Sequence, residues 1–143
     1  MVPTAKVFFE EVRTACAPAV AGLGLTGPDE SDEIMPCSDY KGAVVEYRLR
    51  LNESEGTVGC SAMTETDTIM LTLDIEPLAM AVGVVEKRGG VSYSARNLRQ
   101  LRKSLQGLVD YVQRVHPFFT DAATAQNVMR QAGAREWRKG GAS

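Results

Sequence analysis

Residues 44–75 read VVEYRLRLNESEGTVGCSAMTETDTIMLTLDI, and this stretch decides the fold. Val45, Tyr47, Leu49 and Leu51 alternate with Val44, Glu46, Arg48 and Arg50. A period of two puts the first set on one face of a strand and the second on a wet face. Asn52-Glu53-Ser54-Glu55-Gly56 is a hairpin loop. Val58, Cys60 and Ala62 form the inner face of a second strand, and Thr64-Glu65-Thr66-Asp67 turns the chain again. Ile69, Leu71, Leu73 and Ile75 alternate with Thr68, Met70, Thr72 and Asp74 in a third. An antiparallel meander of three or more such strands has one apolar face, which a helix layer must cover.

Two amphipathic helices supply that layer. Leu98, Leu101, Leu105, Leu108, Val112 and Val115 keep an unbroken three-four spacing, with Ser94 as the expected cap and His116-Pro117 as the stop. Near the N-terminus Val7, Phe8, Val12, Ala15, Cys16 and Ala19 form a second stripe behind Thr4. Pro18 is expected to kink or end that helix, and Gly22 and Gly24 to close it. Phe118 and Phe119 are expected to anchor the exit of the long helix. A last helix starts at Thr120-Asp121, with Ala122, Ala125, Val128, Met129 and Ala132 as its apolar side.

Three segments read less regularly. Residues 26–42 are acidic and rich in breakers, so they read as a loop, which would hold Cys37. Residues 76–93 admit a helix starting at Pro77 and ending at Gly89-Gly90, or a hairpin across Arg88-Gly89-Gly90; the Pro start and Ala/Met content favour the helix. The tail from Gly133 to Ser143 reads as frayed.

The whole chain of 143 residues forms one expected α+β domain, with residues 120–143 as terminal helix and basic tail. Apolar residues make up 44% and charged residues 24%, ordinary for a globular protein. No run is long and apolar enough to span a bilayer, and no membrane partner is expected. No charged n-region precedes an apolar core near Met1, so no signal peptide is read. Cys16, Cys37 and Cys60 are odd in number and lack CxxC spacing, which argues for reduced thiols in a cytoplasm. Cys16 and Cys60 are expected in the core.

Charge is segregated along the chain. Residues 1–75 carry five basic and 13 acidic side chains, net −8, and residues 76–143 carry 11 and five, net +6. Asp29, Glu30, Asp32 and Glu33, with Glu46, Glu53 and Glu55, are the candidate acidic contact set. Arg96, Arg99, Arg102 and Lys103 open the long helix, where the helix dipole does not favour cations. With Arg135, Trp137 and Arg138 of the tail they form the candidate basic contact set. The acidic run lacks calcium-loop spacing and no metal or cofactor is expected. Gly22-Leu23-Gly24-Leu25-Thr26-Gly27 has GxGxxG spacing, but it follows a helix and leads into Pro28 and an acidic run, so no dinucleotide site is read. No catalytic motif appears, and His116, at a helix C-terminus, reads as a favourable cation or donor.

Phe8-Phe9-Glu10-Glu11-Val12-Arg13, Arg96-Asn97-Leu98-Arg99-Gln100-Leu101 and Leu108-Val109-Asp110-Tyr111-Val112 resemble the immunity proteins of bacterial polymorphic toxin systems. The element order over residues 5–119 also resembles type III secretion chaperones and the YbjN-like proteins that share their fold. The resemblance implies protein binding and carries over no functional residue. The expectation is a non-enzymatic protein-binding module, inhibitor-like or chaperone-like, that uses charged surfaces on one unknown partner. A structural or assembly subunit, including a homo-oligomer, is the alternative. Nucleic-acid binding by the basic half is a further one, and the sequence pI near 5.5 weighs against it.

Overall fold

The alternation in residues 44–75 is realised as the centre of a larger sheet. The structure, a computed structural model, describes residues 1–139. Strands β3 (Glu46–Asn52), β4 (Thr57–Glu65) and β5 (Ile69–Asp74) pair antiparallel, with Tyr47 opposite Ala62 and Ala62 opposite Leu73. Before them lie β1 (Thr26–Ser31) and β2 (Cys37–Lys41); after them comes β6 (Arg135–Arg138), beside β5. Spatial order follows chain order from β1 to β6, so the fold is α+β, a six-stranded meander with helices packed on it.

The helices cover one face. Helix α1 (Ala5–Leu23) starts where Thr4 Oγ1 accepts from the Val7 N–H and ends at Gly24, whose φ of 69° suits a residue without Cβ. It buries Phe8, Val12, Cys16 and Ala19. The short α2 (Ile75–Ala81) follows β5 directly. Helix α3 (Leu98–Val115) buries Leu101, Leu105, Leu108, Val112 and Val115. Each such aliphatic side chain contributes ~1.5–3 kcal/mol when fully buried. His116–Phe118 tightens into a 3-10 turn, and α4 (Ala122–Gln131) starts at Asp121, which accepts from the Thr124 N–H at 2.8 Å.

Several expectations change. The loop expected over 26–42 holds strands β1 and β2, and Cys37 opens β2. Apolar alternation fails there because β1 is an edge strand and only Ser38 and Tyr40 of β2 turn fully inward. Helix α1 continues past Pro18. Pro18 is exposed, and the buried Cys16 and Ala19 beside it hold the turn that has lost one N–H. The helix expected from Pro77 exists but stops at Ala81, well before Gly89; no hairpin forms. Asn97 rather than Ser94 caps α3, accepting from the Gln100 N–H at 2.9 Å. Leu98 is therefore left 36% exposed, while Ser94 bridges to Thr57. Phe119 is buried, but Phe118 is 41% exposed. The tail does not fray after Gly133: it forms β6, and residues 140–143 lie outside the described residues.

Candidate functional site

Strand pleating sends Tyr47, Leu49, Leu51, Val58, Cys60, Ala62 and Leu71 towards the helices, where all are buried. The alternate residues face away, and among the described residues no helix covers them. Pairing lines up Asp39, Arg48, Ser61 and Asp74 in one row across β2, β3, β4 and β5. Arg48 donates through Nε and Nη2 to the two carboxylate oxygens of Asp39, at 2.8 and 2.9 Å. That bond raises the Arg48 pKa further above its ordinary value. Arg50 donates to Ser61 Oγ at 3.2 Å and lies 3.6 Å from Asp74.

Arg48, Arg50, Ser61 and Asp74 line a trough of about 790 Å³ on the uncovered face. The β1–β2 turn walls it with Glu33, Ile34 and Met35, and Arg135 enters from β6 on the other side. Ile34 is 95% exposed, and Trp137, which carries the Arg135 guanidinium 5.3 Å from its ring centre, is 51% exposed. Burial pushes the Cys37 thiol pKa up, which disfavours a reactive thiolate. The trough offers guanidinium donors, hydroxyls and apolar rims. Among the described residues no three His, Cys, Asp or Glu side chains converge as a metal site.

The expected acidic set is only partly gathered. Asp32 and Glu33, in the β1–β2 turn, and Glu53 and Glu55, in the β3–β4 turn, lie at the same end of the sheet. Asp29 lies on the edge strand β1. Glu30 is held by Arg13 of α1 at 2.6 Å. Glu46 sits at the opposite end of β3, where desolvation raises its pKa.

The expected basic set divides likewise. Arg102 is bound by Glu11 of α1 at 2.9 Å. Arg96, Arg99 and Lys103 are exposed without an ion pair among the described residues. Arg135 and Trp137 pair with Thr72 and Met70 and so share the uncovered face, whereas Arg138, opposite Ile69, alternates to the other side.

Arg48, Arg50, Ser61, Thr72 and Asp74 were not singled out from the sequence. The alternation marks each as outward, but only the cross-strand register brings them together. Cys16 and Cys60 are buried, as expected, and burial raises the Cys16 thiol to about 11. His116 Nδ1 lies 2.7 Å from the buried Tyr47 hydroxyl, away from the trough, and burial lowers its pKa. Comparison with family models, curated proteins and solved structures finds no match to this chain.

Proposed function

We propose that this chain is a non-enzymatic protein-binding module that takes one partner protein onto the uncovered face of its sheet. The observation that carries this reading is the trough of about 790 Å³ between the β1–β2 turn and β6. It combines charged donors with the exposed apolar side chain of Ile34, and the half-exposed Trp137 stands on the same face beside Arg135. Exposed aromatic and aliphatic groups beside arginines are the composition of protein interfaces. The immunity-like and chaperone-like resemblance of the sequence agrees with such a role. A reducing cytoplasm suits the three unpaired thiols. Among the described residues no helix is long and apolar enough to cross a membrane.

Recovery of the tagged protein with its bound molecules, in parallel with variants, tests this. Ser61→Phe and Thr72→Phe fill the trough; Arg99→Ser and Lys103→Ser alter only the outer helix face. One stoichiometric protein that is lost with the first pair and kept with the second supports the reading. Loss with the second pair alone moves the interface to α3. Recovery of nucleic acid that washes off as salt rises overturns it.

A further inference from the structure

Resting on that reading, we propose that the segment seated in the trough is extended and acidic, its carboxylates held by Arg48 and Arg50 of the floor strand β3 and by Arg135 of β6. Arg48 and Arg50 stand on β3, and Arg135 stands on β6. Their donors are incompletely used. Arg48 commits only Nε and Nη2 to Asp39. Among the described residues Arg50 donates only to the Ser61 hydroxyl, with Asp74 an ion-pair partner at 3.6 Å, beyond a hydrogen bond. Arg135 has the Trp137 ring as its neighbour and no carboxylate among the described residues. Each guanidinium has five donors in a planar fork, the geometry that takes a carboxylate through two parallel bonds.

The spacing favours an extended chain. Strands β3 and β6 are separated by β4 and β5, so the two arginine-bearing strands lie three strand spacings apart, ~14 Å across the sheet. An extended segment rises ~3.3 Å per residue, so carboxylates four residues apart lie ~13 Å apart and point the same way. The floor between these strands is polar and short-chained, with Ser61 and Thr72. Ile34 in the β1–β2 turn and Trp137 beside Arg135 suit apolar residues flanking the acids. Glu33 and Asp74 line the same trough and exclude an anion at their own positions, which a segment with spaced carboxylates avoids and a nucleic acid with a phosphate at every nucleotide does not.

Trp137 is the only tryptophan, so its fluorescence reports on this face alone. The probe is a blocked peptide of alternating glutamate and alanine, about ten residues long to span the trough. A lysine-for-glutamate peptide and a single-stranded oligonucleotide of similar length are the comparisons. Calorimetry on the same mixtures covers binding that leaves Trp137 unchanged. The glutamate peptide is expected to bind saturably. Arg50→Gln and Arg135→Gln should each weaken it about tenfold, as for a lost charge-assisted hydrogen bond, with Arg135→Lys recovering part of the loss. Preference for the lysine peptide, or for the oligonucleotide, overturns the proposal. So does silence towards all three in both measurements. If the trough-filling variants still lose their protein partner in that case, the protein-binding reading stands and only the acidic segment falls.

Discussion

Arg50 on β3 reaches across β4 to lie 3.6 Å from Asp74 at the end of β5, with the Ser61 hydroxyl beneath it at 3.2 Å. The pair sits on the uncovered face, and both side chains are substantially exposed. Exposed ion pairs contribute ~0–1 kcal/mol to stability. Arg50→Gln is therefore expected to change the unfolding free energy, measured by urea titration, by less than about 0.5 kcal/mol. The same variant is expected to weaken partner binding. A large loss of stability would make Arg50 a structural residue rather than a contact.

Tyr47 and His116 make the fold sensitive to mild acid. The hydroxyl lies 2.7 Å from His116 Nδ1, and burial holds the His116 pKa below its ordinary value of about 6.5. The folded state then binds fewer protons than the unfolded one. Stability is fully present above the unfolded value and falls as pH drops through it towards the folded value. Denaturation curves between pH 7.5 and 5.5 should show this decline, and His116→Gln should flatten it. A profile that stays sloped in the variant would assign the effect to other groups.

Glu76 is a buried carboxylate, 7% exposed, that ties down the irregular segment after α2. It accepts from the Gly89 N–H and from the Tyr93 hydroxyl, both at 3.1 Å. Glu76→Ala is expected to cost ~1–3 kcal/mol. Trypsin should then cut faster after the exposed Lys87 or Arg88. Unchanged cleavage would show that Val91 against Gly107 and Ser104 on Ser94 hold the segment without it.

Gly56 turns the β3–β4 hairpin at φ 66°, and a Cβ there would meet Arg96 Cγ at 2.7 Å. Gly56→Ala combines a disfavoured backbone conformation with a contact that Arg96 must yield. A loss of ~1–2 kcal/mol is expected, measured by thermal or urea unfolding. A neutral effect would mean the hairpin relaxes freely.

The sequence made the middle of this fold legible and its margins obscure. Strands β3, β4 and β5 have one buried face, so period-two alternation exposes them. Helix α3 has a continuous apolar stripe for the same reason. Strand β6 has no buried residue, and β1 is a polar edge strand containing Pro28. Their backbones are recruited by pairing rather than by burial, which leaves no apolar signature. The site was hidden differently. Asp39, Arg48, Ser61 and Asp74 are far apart in the chain and meet only through register. Arg135 and Trp137 were visible as a cation and an aromatic, but their place on the trough depends on β6 pairing with β5.

A partner protein seated on the uncovered sheet face lies within reach of Ser61 and away from the outer side of α3. The most direct measurement places a photo-crosslinking amino acid at Ser61, and separately at Gln106 on the exposed side of α3, in cells that make the protein. One discrete protein adduct is expected from position 61 and none from position 106. An adduct from position 106 alone, or none from either, would contradict that placement.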